Sequence, residues 1–560
     1  MPRGPGSDMP ERDLERLEAE RFDLLVIGGG ITGAALAWDA SLRGLRVALV
    51  DQGDFGAATS AATSKLIHGG LRYLKQAELR LVRESLRERR ILQTIAGHLV
   101  RPLPFLLPTY RHANKRWQIR AGLFLYDLLG YDRARLEDPE QRLPRHEMLT
   151  LEEATGLEPE LPTREMTGAA LYHDCRCEPE RLTLEFILGA TWHGAQVSNY
   201  ARVTDLICRV GRLDAVDVED RLSGRHYEVR ARMVVNAGGP WADKLDHLCG
   251  ATQDTVLKRS KGIHIVTRPL TRKHAVVLPG PEGRHLFIIP WRGHSLIGTT
   301  DTEYRGEPGH LGVDDEEVAA FVEVVNAAFP AAKLNPAAVK YRYAGVRPLV
   351  DADSQVYDAS RRYEIIDHHS RGTKGLITAT GGKYTTSRSL ARKLTNMVLA
   401  RLGEPKVPCR TDGTRLPGTV SGSFSDYVAG CLEENRGVMD RSQLRYLVES
   451  YGARHEEVLE LIRADDSLAE PIVPGRPECL AQVTFAVESE WAVTLADVVF
   501  RRTGLATLGD PGDAALERVA QVMGARLGWD ARRRQAEIAA CREKLHGRPE
   551  RLAGEPSRQR

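Results

Sequence analysis

Gly28, Gly30 and Gly33 stand where a short apolar run, F-D-L-L-V-I from Phe22, gives way to an alanine-rich stretch, I-T-G-A-A-L-A-W-D-A. Glycines at that spacing do their chemistry by having no side chain. The first permits a tight turn, and the second lets backbone approach a pyrophosphate. The third lets a helix pack closely on a strand, with the phosphates at the positive helix N-terminus. A second apolar run, L-R-V-A-L-V, then delivers Asp51, 18 residues after Gly33, where a carboxylate can accept hydrogen bonds from ribose hydroxyls. Strand, glycines, helix, second strand and acid in one register predict a dinucleotide-binding unit.

Two later segments decide between dinucleotides. Residues 232–241, R-M-V-V-N-A-G-G-P-W, and 376–386, L-I-T-A-T-G-G-K-Y-T-T, each end an apolar strand in a glycine pair. A nicotinamide unit needs only the first glycine cluster. A flavoprotein brings later segments back to the same place, including a helix N-terminus that can stabilise negative charge on the reduced ring. Three strand ends opening into glycine therefore favour FAD.

Through these residues and others the chain resembles a known family, the FAD-dependent (quinone-linked, aerobic-type) glycerol-3-phosphate dehydrogenases of the glycine-oxidase-like flavoproteins. The resemblance is carried, in the family's order and over about 20–545, by eight segments. They are I-G-G-G-I-T-G-A, A-T-S-A-A-T-S-K-L-I-H-G-G-L-R-Y-L, G-L-F-L-Y-D-L-L-G, V-V-N-A-G-G-P-W, K-G-I-H-I-V, I-P-W-R-G-H-S-L-I-G-T-T-D, Y-A-G-V-R-P-L and G-G-K-Y-T-T. Asp51 stands where the family usually has Glu; the shorter acid accepts the same hydrogen bonds. The resemblance implies an α/β protein: an FAD-binding Rossmann-like domain, an inserted α+β substrate domain and a C-terminal, mostly helical domain. It also implies oxidation of sn-glycerol 3-phosphate to dihydroxyacetone phosphate, with hydride passing from C2 to the flavin N5 and electrons to a membrane quinone. The alternative is an oxidase returning electrons to oxygen and releasing peroxide. Such oxidases typically carry an extra insertion in the substrate domain, and no such excess is seen here.

The same resemblance assigns the site. Cofactor contacts fall on Gly28, Gly30, Ile31, Thr32 and Gly33, on Asp51 and Gln52, and on the loop residues Thr59, Ser60, Ser64, Lys65, His68, Gly69, Gly70 and Leu71. Val203, Ala237, Gly238 and Trp241 follow, and then Gly381, Gly382, Lys383, Tyr384 and Thr385. For the substrate phosphate the candidates are Arg72, Arg347 and Arg361, because a planar guanidinium donates two parallel hydrogen bonds and stays charged. Arg72 and Arg347 sit among small or apolar neighbours; Arg361 is the weakest of the three, with Arg362 adjacent. Tyr73 emerges beside Arg72 on the substrate side. His264 is favoured as proton acceptor because imidazole titrates near neutral pH and this one alternates with apolar neighbours in a strand. Lys383 would steady the developing carbonyl oxygen, and His264, Arg347 and Lys383 are the catalytic set. The glycine pair of H-G-G-L-R is expected to pass close to the flavin.

Composition excludes several classes. A formal charge of +2 at pH 7 gives no reason to expect nucleic acid. The eight cysteines are scattered without C-x-x-C, which argues against a disulfide scaffold or iron–sulfur cluster and for reduced cytosolic thiols. His173-Asp174-Cys175-Arg176-Cys177 lacks a second ligand pair at zinc spacing, so no metal is expected. No apolar run reaches the length of a membrane span, and the N-terminus lacks a secretory core. Glu488 and Glu490 suit capping or packing rather than catalysis.

At 560 residues the chain exceeds the size of one core, so several domains are expected. The flavin domain is read from about 20–100, 165–255 and 340–400, the substrate domain from about 101–164 and 256–339, and a helical unit from 410–545. The proline- and glycine-rich L-G-E-P-K-V-P-C-R-T-D-G-T-R-L-P-G marks the last boundary, and the polar ends 1–18 and 547–560 are expected to be disordered. Basic R-H-A-N-K-R-W-Q-I-R followed by apolar A-G-L-F-L-Y-D-L-L-G reads as an interfacial helix or as one buried between domains. As a family member the protein would be cytoplasmic, held peripherally at the inner face of the membrane; the resemblance also admits a homodimer.

Overall fold

Leu24, Val26, Leu49 and Val50 are fully buried, the pattern of parallel strands covered on both faces. In the computed structural model, which describes residues 12–249, 257–280, 284–349 and 363–553, these strands lie at the centre of a sheet. Its order is Tyr363–Asp367, Leu376–Gly381, His226–Asn236, Arg21–Ile27, Val47–Val50, Gln196–Ser198. The five strands from Leu376–Gly381 onward are parallel to their neighbours, and Tyr363–Asp367 closes the edge antiparallel. Helices Ile31–Leu42, Pro179–Thr191 and Ser387–Leu402 cover one face, with Trp38 set edge-on against Phe186. The parallel strands deliver Ile27, Val50, Asn236 and Gly381 to one edge, where open α/β sheets bind their ligands.

A second sheet of ten strands carries the other half of the site. Lys258–Thr267 is paired antiparallel to both His294–Gly298 and Tyr341–Leu349, so His264 lies directly opposite Tyr343, and Ser260 opposite Arg347. With a side-chain period of 2, Ser260, Gly262, His264, Tyr343 and Arg347 share one face. Met166–Cys177 and Tyr341–Leu349, read from the sequence as flavin-domain segments, are strands of this second sheet. Their apolar runs do not say which of two sheets they join.

After residue 410 the chain is helical, with Phe424–Glu434, Arg441–Tyr451, His455–Ala464, Leu480–Ser489, Asp513–Leu527 and Ala531–Leu545. The chain ends depart from expectation where they are described. Leu14–Ala19 is a helix that buries Leu14 and Leu17, and Arg12 bonds Asp220 and the Asn199 carbonyl. Toward the other end, Glu550 is paired to Arg501 and Lys544, and Leu552 is buried. Polar composition concealed both anchors, because two leucines or one acid suffice once a partner surface exists. No helix among the described residues is long and apolar enough to cross a membrane.

Candidate active site

The edge of the parallel sheet and the His264 face of the second sheet border one cavity of about 2230 Å³. At its nucleotide end Gly28 has φ +106°, a conformation that only glycine adopts cheaply, and a Cβ there would lie 2.6 Å from the Ala237 carbonyl oxygen. A Cβ on Gly33 would overlap the Gly28 carbonyl oxygen. Gly30 begins the helix without a side-chain cap, and Ser60 Oγ accepts from the Ile31 amide at 2.9 Å. Asp51 accepts from the amides of Gly29 (2.6 Å) and Gly53 (2.8 Å); burial, against these two donors, pushes its carboxyl up to about 6. Gly28, Gly30, Ile31, Thr32, Asp51, Gln52, Val203, Ala237, Gly238 and Trp241 all line this end.

The loop 51–65 forms the next wall, and Thr59, Ser60, Ser64 and Lys65 line it. Thr59 Oγ1 donates to the Val346 carbonyl at 2.6 Å, and Tyr343 Oη donates to the Thr63 carbonyl at 2.6 Å, which ties the loop to the second sheet. Lys65 borders the cavity, but its ammonium is held by Glu180 and the Ala61 carbonyl.

At the far end His264 is buried, stacks on Tyr343 with ring centroids 4.9 Å apart, and meets Ser64 Oγ through Nε2 at 2.9 Å. Its Nδ1 has no hydrogen-bond partner among the described residues. Burial, then Arg347 and Lys65, lowers its proton affinity well below that of an ordinary histidine, so the ring is neutral near pH 7. Arg347 donates to Thr299 Oγ1 at 2.8 Å and pairs with Asp301 at 3.4 Å. It lies across Gly262, where a Cβ would come within 2.6 Å of the guanidinium carbon. Lys383, next to Gly381 and Gly382, places its ammonium 3.8 Å from the centroid of the Tyr73 ring and donates to Ser85 Oγ at 3.2 Å. Arg72 covers the same ring at 4.7 Å and donates to Tyr73 Oη at 3.0 Å. His68, driven to about 3 by burial and then by Lys383, Arg72 and Arg89, is neutral as well.

Tyr73, His68, His264, Arg347, Gly381, Gly382, Lys383 and Tyr384 line the cavity. Gly33, Gly69, Gly70, Leu71, Arg72 and Thr385, singled out in the sequence, do not border it. The structure gives the glycine pair another reason. A Cβ on Gly69 would strike Leu86, and its amide donates to Tyr126 Oη at 2.9 Å and to Asp174 at 3.2 Å. Gly70, at φ +79°, leaves room for the Tyr73 ring and the Lys383 ammonium. Asp174, from the run that briefly looks like a metal cluster, is buried against Arg89 and Tyr126, and no group of metal-ligating side chains occurs among the described residues. Arg361 lies outside the described residues. Sequence reasoning missed Ser64 as the partner of His264, and Thr299 and Asp301 as the partners of Arg347; the T-T-D of the quoted I-G-T-T-D was the available signal.

A model of the FAD dependent oxidoreductase family matches residues 23–388, and one of the C-terminal domain of alpha-glycerophosphate oxidase matches 409–534. A glycerol-3-phosphate dehydrogenase of Synechocystis is 37% identical over 535 residues, 92% of this chain and 95% of that protein. The aerobic glycerol-3-phosphate dehydrogenase of Bacillus subtilis is 33% identical over 509 residues, 88% of this chain and 89% of that one. The chain belongs to the FAD-dependent glycerol-3-phosphate dehydrogenase family. Glycerol-3-phosphate dehydrogenase from Bacillus halodurans, solved with FAD, superposes with a TM-score of 0.77 at 28% identity, covering 96% of this chain and 98% of that one.

The residues present fit FAD, the cofactor of this family. The glycine cradle would be filled by a Cβ, the helix Ile31–Leu42 offers its N-terminus, and the cavity continues without a break from Asp51 to Gly382. The chain continues past the cofactor region into a helical C-terminal domain.

Proposed function

We propose that this protein oxidises sn-glycerol 3-phosphate to dihydroxyacetone phosphate and passes the electrons to a membrane quinone. One observation carries the reading: a glycine-lined nucleotide end opens into the same cavity as a buried neutral imidazole, His264, and the cations Arg347 and Lys383. Bound FAD supplies the hydride acceptor for C2 of the substrate at its N5. Lys383, on Tyr73, brings a cation to a dianionic phosphate in the cavity, and Arg72, outside the cavity lining on the same ring, steadies Tyr73 and adds to the positive field there. His264 takes the C2 hydroxyl proton; a bound dianion raises the imidazole's proton affinity toward neutrality just when a base is needed. Arg347, held by Thr299 and Asp301, faces the oxygen on which charge develops. Arg361 is the third proposed phosphate ligand.

The acceptor reading rests on helix Arg116–Leu129. It buries Leu123 and Tyr126 and turns Trp117 (68% exposed), Phe124 and Leu128 to solvent, with exposed Tyr131 just beyond. Arg111, Lys115 and Arg120 are exposed beside this apolar face, whereas Arg116 is engaged by the carbonyls of Met148 and Leu149. Cations next to exposed aromatics suit the headgroup layer of an anionic bilayer. Replacing Arg111, Lys115 and Arg120 by Ser releases the protein from anionic vesicles; unchanged co-sedimentation overturns the membrane contact.

Anaerobic glycerol 3-phosphate should bleach the flavin absorbance, and no bleaching overturns the substrate reading. An oxygen pulse afterwards decides the acceptor. Slow recolouring with fast quinone turnover fits the proposal, and rapid recolouring with peroxide makes the protein an oxidase.

A further inference from the structure

The C-terminal unit borders the cofactor cavity, and two of its consecutive arginines, Arg501 and Arg502, meet a carboxylate of the cavity wall. Asp497–Arg502 is a π-helical turn, a rare geometry often found at functional sites. It aims Arg501 and Arg502 at one carboxylate, Asp54. Arg502 grips Asp54 with both terminal nitrogens, at 2.7 and 2.8 Å, and Arg501 Nε reaches it at 2.5 Å. Asp54, Arg501 and Arg502 are each at most 3% exposed. Burial alone would raise the Asp54 carboxyl, but Arg502 and Arg501 hold it well below the usual carboxylate range.

Every other polar atom of the grip is occupied. Arg501 also bonds Asp497 (2.6 Å) and Glu550 (2.8 Å), and Arg502 donates twice to the Glu490 carbonyl. Asp497 in turn accepts from Tyr200 Oη at 2.6 Å, and Asn199 spans from Asp54 to the Trp491 carbonyl. The next residue, Phe55, packs edge-on against Trp491 at 5.8 Å, and Gly56 donates to the carbonyl of Gly29 inside the glycine motif.

Asp54 lies within the irregular loop 51–65, which lines the cavity at every position but Phe55. A wall of turns has no ladder to hold its shape, so its position depends on its ties. Thr59 and Tyr343 tie it to the second sheet, Gly56 and Ser60 tie it to the glycine motif, and the Asp54 grip ties it to the C-terminal unit.

We propose that Arg501 and Arg502 of the C-terminal unit are positioning residues for the cofactor: by fixing Asp54 they hold the loop 51–65 closed over FAD and set how slowly it leaves. The inference rests on FAD as cofactor and is independent of the substrate and acceptor.

The test is the rate at which FAD leaves the purified holoenzyme after dilution, followed by recovery of flavin fluorescence. Asp54→Asn should release FAD about tenfold faster or more, since a bidentate charged grip is lost and two buried guanidiniums lose their shared partner. Arg502→Lys, which keeps the charge but not the fork, tests the same point with less risk to folding and should give an intermediate rate. Arg526→Ala, which breaks a more exposed pair with Glu488 on the same unit, should leave the rate unchanged. Excess FAD should restore thermal stability to Arg502→Lys if loop closure is what was lost. An Arg502→Lys protein that melts earlier with and without added FAD, yet releases FAD at the parent rate, overturns the proposal.

Discussion

The two ends of the cavity are built from opposite materials. At the nucleotide end the working groups are backbone amides and missing side chains: Gly28, Gly30 and Gly33, the amides that hold Asp51, and the N-terminus of Ile31–Leu42. At the other end they are the charged side chains of Arg72, Arg347 and Lys383 and the imidazole of His264, from four separate segments, each already engaged by the protein, as Arg347 is by Thr299 and Lys383 by Ser85. A site made of backbone tolerates almost no added atoms. A site made of side chains tolerates small changes in position and is sensitive to loss of a functional group. The difference predicts all-or-none losses at one end and graded kinetic losses at the other.

Gly33→Ala should break the first end most completely. Its Cβ would overlap a backbone oxygen within the turn, where no side chain can move aside. We expect purified Gly33→Ala protein to retain less than about a tenth of the parent flavin absorbance per chain. Near-stoichiometric flavin would show that the turn can yield and would weaken the contrast. Next in size is His264→Ala, which should bind FAD normally yet slow anaerobic flavin reduction by about 10²–10⁴. A reductive rate within a few-fold of the parent would move the role of base to Arg347 or Lys383.

The same contrast explains what could be read from sequence. Glycine spacing is a direct image of backbone geometry, so the cofactor class and the α/β architecture were legible from Phe22 to Asp51 and at Gly381-Gly382. The chemical end was legible only through family motifs, because its members come together by strand pairing. Nothing local in K-G-I-H says that His264 will face Tyr343, or that Ser64, 200 residues away in sequence, will meet its ring. The packing role of the glycine pair at 69–70 was illegible for a related reason. Its small size serves Leu86, Tyr126 and Tyr73, whose approach depends on packing that no short-range pattern encodes. Asp54 had no signal at all, since its two arginines lie more than 440 residues further on.

Gly262→Ala sharpens the comparison by placing a backbone-type constraint inside the side-chain end. The new methyl would press on the Arg347 guanidinium and on Thr299, both of which can give a little. We expect KM for glycerol 3-phosphate to rise about tenfold with flavin content unchanged, the cost of a displaced charge-assisted hydrogen bond. Loss of flavin in this variant would mean that the two ends are not independent.

The smallest effect is the most specific. The profile of kcat/KM against pH reports groups in the free enzyme, and there His264 is held neutral by burial and by Arg347 and Lys65, with its proton affinity far below that of a free histidine. A base whose affinity for protons is lowered stays unprotonated as the pH falls. The acid limb of kcat/KM should therefore show no inflection near 6.5, once ionisation of the substrate phosphate is divided out. An inflection near 6.5 that disappears in Ser64→Ala would assign it to the His264–Ser64 pair and show that the free site is wetter than its packing indicates. An inflection near 6.5 that survives in His264→Gln would place the titrating group elsewhere.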